Sequence, residues 1–254
     1  MNTIFQKTIK KTVSCTGIGL HTGIPVKLFL KPAPIDTGIR FIRTDISSNS
    51  IIDALPENIK DTAFATTIGN NEFNIRTIEH LMAAFAGLQI NNIIVEINGP
   101  EIPAMDGSAF PFVELLQNAG IIEQHKAITN LILKKTVSII DRDKYIKIKP
   151  NAKKLSVLYK INFNHHLLKN KSLKYEINNK TFIDKIAKAR TFGFLEEVDL
   201  LRKNGLAKGG SLDNAVVLGK DNIINGKLRF KDELIAHKIL DLIGDLYLSG
   251  YSII

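Results

Sequence analysis

One run, Asp232 to Leu246, constrains this chain more than any other stretch. Its leucines and isoleucines recur at helical spacing and cover most of the circumference, which predicts a helix buried nearly all round. Into that apolar surface the sequence sets His237 and Asp241, four positions apart and therefore on one face, with Asp245 one turn further on. A buried ionised carboxylate is costly unless it is paired or bound to a metal. An imidazole and a carboxylate one turn apart are either a hydrogen-bonded pair inside a core helix or two ligands of a metal site. The run by itself leaves both readings open.

A chain of 254 residues can bury a sizeable core, as one large domain or two small ones. No apolar run reaches membrane-spanning length, and the N-terminal residues lack the apolar centre of a signal peptide, so no stable membrane insertion is expected. The single cysteine, Cys15, excludes an internal disulfide and a multi-cysteine metal site. It fits a reducing compartment, and the expected location is the cytoplasm. The net charge of +9 is concentrated between Lys134 and Lys180. A nucleic-acid groove or an anionic substrate could account for it. There is no Trp and little aromatic interleaving in the basic runs, and Lys, Ile and Asn are frequent along the whole chain. We therefore expect no nucleic-acid partner.

Taken in order, Val26–Lys31 and Ile39–Arg43 read as strands. The glycine-rich Thr16–Gly23 between the first strands precedes a strand rather than a helix, so it reads as a hairpin connection and not a phosphate loop. His21 within it reads as a turn residue or as one lining a site. Asp61–Ile68 is a further strand candidate. Thr77 is the expected N-cap of a helix whose core stripe is Ile78, Leu81, Met82, Phe85 and Leu88, placing Glu79 and His80 in its first turn. Asn92–Ile97 follows as a strand, and Ser108 or its neighbour caps a helix near Pro111–Leu116. Strands restart after residues 123–129, which sets an expected boundary between domains 1–126 and 127–254.

An internal echo supports that division. His80 precedes Gly87 by seven residues, and His237 precedes Gly244 by seven. Two such units facing each other would bring His80, His237 and Asp241 to one seam. The second unit stops at Ile254, inside the strand equivalent to one that the first unit completes, so the chain reads as truncated. Two histidines and a carboxylate leave a fourth position for water, the catalytic pattern of zinc. Zinc lowers the pKa of such a water and polarises a carbonyl. Glu79, beside His80, is then the natural general base, or else simply an acid favoured in a first helical turn.

Five blocks now stand in order: Thr77–Leu81, Pro100–Ser108, Ala189–Phe194, Gly209–Ala215 and His237–Leu246. Together they resemble the UDP-3-O-acyl-N-acetylglucosamine deacetylases of lipid A biosynthesis. The resemblance implies an α+β fold of two similar domains, each a sheet with packed helices. The helices would be sandwiched between the sheets, with the active site at the domain junction. It implies a Zn2+ amidase, active as a monomer, that frees the 2-amino group of UDP-3-O-acyl-N-acetylglucosamine and releases acetate. Residue by residue, His80, His237 and Asp241 match the zinc ligands and Glu79 the general base. Thr191 matches a hydroxyl that steadies the developing oxyanion, and Asp245 a carboxylate that orients a general-acid histidine. An insert near 192–217 matches the acyl passage, lined by Phe192, Phe194, Val198, Ala207, Leu212, Ala215 and Val217. These apolar residues could equally be ordinary core. Lys238, directly after His237, could reach a phosphate as a point charge; Phe163 resembles a uridine-stacking aromatic and Lys144 a lysine facing the diphosphate.

One departure stands out. The family pattern puts the general-acid histidine about 15–20 residues beyond Asp245, and none of the six histidines here follows His237. The chain as given is therefore expected to bind zinc but to lose roughly 10²–10⁴ in rate. A zinc- and nucleotide-sugar-binding relative without turnover is the alternative.

Overall fold

A computed structural model describes residues 4–47, 49–151 and 154–253, with Ser252 and Ile253 described by backbone alone. Its first half is built on a five-stranded sheet in the order Val13–Ile18, Pro25–Pro32, Ile93–Ile97, Ile39–Arg43, Ile51–Asp53. The period-2 pattern decides which face is buried: Val26, Leu28 and Leu30 alternate with exposed or half-buried neighbours, as do Ile93, Val95 and Ile97. Those residues, with Phe41, face two helices, α1 (Glu79–Leu88) and α2 (Phe110–Ala119), in one continuous core. The strand Ile121–Ala127 then returns to pair antiparallel with Phe5–Ile9.

The second half supplies two antiparallel hairpins, Val137–Asp141 with Lys144–Ile148 and Ser156–Ile161 with Lys171–Glu176. A short helix α3 (Asn179–Thr181) continues as a wider turn over Phe182–Ile186. A parallel pair, Phe192–Phe194 with Val216–Leu218, is joined by a connection containing α4 (Leu195–Lys203). The long helix α5 (Glu233–Tyr247) covers the run from which the sequence reading began, with His237 buried, Asp241 half-buried and Asp245 exposed along one face. Ile239, Leu240 and Ile243 of α5 join the core of the first half, while Leu234 and Ile235 join a smaller core with Val216 and Leu218. The helices thus lie between the five-stranded sheet and the Ser156–Glu176 hairpin, the α+β arrangement that the resemblance implied.

The internal echo has a structural counterpart. After α1 the chain enters Ile93–Ile97, parallel to Ile39–Arg43; after α5 it enters Ser252–Ile253, parallel to Asn130–Leu131. The two echoed glycines serve different contacts. A Cβ on Gly244 would lie 2.1 Å from the Glu79 carbonyl oxygen, so the missing side chain is what lets α5 approach α1 backbone to backbone. A Cβ on Gly87 would instead meet the Phe182 ring.

Two local expectations fail. Thr77 does not cap α1: its φ is +59°, Ile78 takes the cap position, and its hydroxyl donates to the buried Glu101 Oε1 at 2.8 Å. The 61–68 segment is not one strand. Ile59–Asp61 and Thr67–Gly69 pair with each other, and the chain between them turns at Phe64, whose φ is +64°.

Candidate metal centre

Helix α5 fixes the first half of the site by its own geometry, since His237 and Asp241 stand one turn apart on the face turned toward α1. Helix α1 brings His80 in its first turn, and the close contact at Gly244 sets the distance between the helices. The outcome is three ligand-bearing atoms all within 4.8 Å of one another. Asp241 Oδ1 lies 3.5 Å from His80 Nε2 and 3.4 Å from His237 Nε2. The two imidazoles meet edge to face, centroids 4.9 Å apart.

The hydrogen-bond pattern bears on the two readings of the run. His237 Nδ1 sits 3.1 Å from the Ala189 carbonyl, which can only accept, so Nδ1 carries the proton and Nε2 presents a lone pair to Asp241. Asp241 Oδ1 is buried and has no hydrogen-bond partner among the described residues. The His237 lone pair therefore faces an unpartnered buried carboxylate oxygen, an arrangement that a bound cation would relieve. A tetrahedral zinc with bonds of about 2.0–2.1 Å has ligand–ligand edges of about 3.4 Å, which the two edges to Asp241 match. Zinc fits the residues present, with the Ala189 carbonyl as the outer partner that orients one imidazole.

Protonation tendencies agree. Burial pushes His237 down to about 3, against the pull of Asp241, so this imidazole is neutral. Burial opposes the charge on Asp241, but His237, Lys238 and His80 outweigh it and hold the carboxyl low. Burial pulls His80 down, but Asp241 and Glu79 together raise it, and its net shift is upward. Positive charge is drawn to this spot.

Around the triad stand further groups. Glu79 is nearly buried, and burial pushes its carboxyl up to about 7, with His80 opposing and Asp241 adding to the shift. That range suits a group that takes and returns protons near neutrality. Its Oε2 accepts from the Thr66 backbone N–H at 3.0 Å, while the Thr66 hydroxyl donates to Asp245 Oδ1 at 2.6 Å. Thr66 thus links two carboxylates of the site, a role that no spacing in the sequence announces. Lys238 donates to Asp241 Oδ2 at 3.0 Å and lies 5.6 Å from the Phe192 ring centre. Phe192 in turn stands 6.3 Å from the His237 ring. Thr191 is fixed at both backbone ends, donating to Gly107 O and accepting from Val216 N, each at 2.8 Å.

The insert residues divide. Phe192 and Phe194 share a strand, and Phe163 packs on both, at 6.3 and 5.8 Å between centroids, so three apolar rings cluster beside Lys238. Val198, Ala215 and Val217 are half-buried, and Leu212 is exposed. Ala207, at a φ of +51°, directs its N–H toward His21 Nδ1 at 3.4 Å, so the buried His21 tethers the insert to the first glycine-rich loop. Lys144 stands at the turn of an exposed hairpin opposite Asp141, and the structure does not bring it to the triad. Among the described residues, no helix is long and apolar enough to cross a membrane.

Comparison with known proteins shows the family. A sequence model described as UDP-3-O-acyl N-acetylglycosamine deacetylase matches residues 6–254. A protein of Teredinibacter turnerae (strain ATCC 39867 / T7901) named UDP-3-O-acyl-N-acetylglucosamine deacetylase is 48% identical over 255 residues, covering 99% of this chain and 84% of its own. A protein of the same name from Thioalkalivibrio sulfidiphilus (strain HL-EbGR7) is 44% identical over 254 residues, covering 99% and 83%. Another, from Myxococcus xanthus (strain DK1622), is 45% identical over 250 residues, covering 98% and 79%.

Proposed function

The chain belongs to the UDP-3-O-acyl N-acetylglycosamine deacetylase family, and from that premise we propose that it hydrolyses the N-acetyl group of UDP-3-O-acyl-N-acetylglucosamine. Water adds to the amide, the C–N bond breaks, and acetate and the free amine leave, the committed step of lipid A biosynthesis. The observation that carries this reading is the orphaned Asp241 Oδ1 between two imidazole Nε2 atoms.

The family is one of metalloenzymes, and we take the metal to be Zn2+ held by His80, His237 and Asp241. When bound, zinc supplies Lewis acidity at the amide. Glu79 removes a proton from the attacking water at its carboxylate, with Oε2 steadied by the Thr66 N–H. The Thr191 hydroxyl donates to the carbonyl oxygen as negative charge gathers there. Asp245, hydrogen-bonded by Thr66, is the carboxylate that the family pattern pairs with a general-acid histidine, and no histidine of this sequence follows His237 to take that part. The ring cluster of Phe192, Phe194 and Phe163 supports an acyl-binding wall continued by Val198, Ala207, Leu212, Ala215 and Val217. Lys238 and Lys144 serve the diphosphate, Lys238 from beside the triad and Lys144 from its hairpin. The return of Ile121–Ala127 to the first strand supports the division into domains 1–126 and 127–254. The protein works as a cytoplasmic monomer, with no nucleic-acid partner.

The test is amine release from the UDP-3-O-acyl-N-acetylglucosamine substrate by zinc-loaded protein. Glu79→Gln should retain zinc and lose about 10²–10⁴ in kcat. Zinc and nucleotide-sugar binding without any acetate release would favour a silent binding relative. Absence of zinc binding would remove both readings.

A further inference from the structure

Two sequence blocks, Pro100–Ser108 and Ala189–Phe194, contribute only the Ala189 carbonyl, Thr191 and two phenylalanines to the proposed chemistry. The structure brings both blocks to Glu233, a wholly buried carboxylate one turn before His237 on α5. Glu233 Oε1 accepts from Arg190 Nε at 2.7 Å and Arg190 N at 3.2 Å; Oε2 accepts from Arg190 Nη2 at 3.1 Å and Arg229 N at 2.5 Å. The Arg229 guanidinium, fixed at its backbone by Glu233, reaches Lys188 O at 3.1 Å and Asp106 Oδ2 at 2.8 Å. Asp106 is one residue before Gly107, whose carbonyl receives the Thr191 N–H.

The four residues Lys188 to Thr191 are consequently pinned at successive peptides. Lys188 O is held by Arg229, Ala189 O by His237 Nδ1, Arg190 N by Glu233 and Thr191 N by Gly107. Gly107 is constrained in turn: its φ is +82°, and a Cβ there would lie 2.0 Å from Asn214 O. One strap thus carries the carbonyl that orients a metal ligand and, two residues later, the hydroxyl assigned to the oxyanion. A bidentate carboxylate–guanidinium pair fixes planes as well as distances, which suits holding such a strap in register.

We propose that Glu233 is a positioning residue that sets His237 and Thr191 together, by locking Lys188–Thr191 to α5 through Arg190 and Arg229. This rests on the metal reading above, and the test separates the two. In zinc-competition titrations against a chelating indicator, Glu233→Gln should weaken zinc binding about 10–100-fold, the range seen when outer partners of metal ligands are lost. At saturating zinc its kcat should fall at least about tenfold while KM moves less than about threefold, the pattern of a lost transition-state contact. Removing the charge from a buried pair lowers Tm under any account, so Tm does not count. Zinc affinity and kcat within about twofold of the parent would overturn the proposal and leave a purely structural ion pair. If Glu233→Gln does not fold, Arg229→Gln decides, because that side chain is 35% exposed. It should cost about tenfold in kcat through Thr191, and an unchanged kcat overturns the proposal. A parent protein that binds no zinc defeats the metal reading instead.

Discussion

Gly244→Ala probes the helix contact on which the triad depends. The added methyl would lie 2.1 Å from Glu79 O, 2.9 Å from Glu79 C and 3.1 Å from Ala83 N, all backbone atoms that no rotamer change can move. Restoring an ordinary contact of about 3.4 Å requires α1 and α5 to separate locally by roughly 1.3 Å. His80 rides on α1 immediately after Glu79, whereas His237 and Asp241 ride on α5. The 3.5 Å edge between His80 and Asp241 must therefore widen, while the 3.4 Å edge within α5 stays. Metal–ligand distances tolerate only about 0.2 Å. For stability, overpacking costs about 1–3 kcal/mol, and replacing a mid-helix glycine with alanine returns about 1 kcal/mol. The variant should fold. Misplacement of about 1 Å costs on the order of 10²-fold in rate, so zinc titration and kcat at saturating zinc should both fall sharply with only a modest loss in Tm. Gly87→Ala is the control, since it collides with the Phe182 side chain rather than with α5. Its effect should appear in Tm and leave zinc affinity alone. Gly244→Ala with parental zinc affinity and kcat would refute the reasoning.

Two further outcomes are expected. Burial raises the Cys15 thiol to about 11, so thiolate is scarce at pH 8. Carbamidomethylation there should be about 100-fold slower than for an ordinary thiol and should rise about tenfold per pH unit up to pH 10, as read by mass spectrometry; rapid labelling at pH 8 would contradict this. Thr66→Val removes the 2.6 Å bond to Asp245 while keeping the backbone bond to Glu79. Zinc affinity should hold while kcat falls about tenfold, and a parental kcat would show that this link has no part in turnover.

What was legible in the sequence was what repeats at short range. The circumference of α5 announced burial, and two polar residues four apart in it posed the choice between a hydrogen-bonded pair and a metal site without settling it. The blocks around His80 and His237 carried the rest by resemblance. What the sequence hid was tertiary. Thr66 and Asp245 are 179 residues apart, and the Ala189 carbonyl that orients His237 has no side chain to read. Thr77 looked like a helix cap by composition, but Glu101, itself buried, claims its hydroxyl from 24 residues away. The Asp61–Ile68 pattern lacked any residue that announces a left-handed turn, and the break falls on a phenylalanine.

The central claim is that one metal ion is gripped jointly by α1 and α5. X-ray absorption at the zinc edge tests it most directly, on the parent protein beside His80→Ala and Asp241→Asn. The account predicts one zinc per chain, with two imidazole nitrogens and carboxylate oxygen at about 2.0–2.1 Å, and the loss of one imidazole shell in His80→Ala. Zinc bound with a sulfur ligand, or with a shell that His80→Ala leaves unchanged, would contradict it.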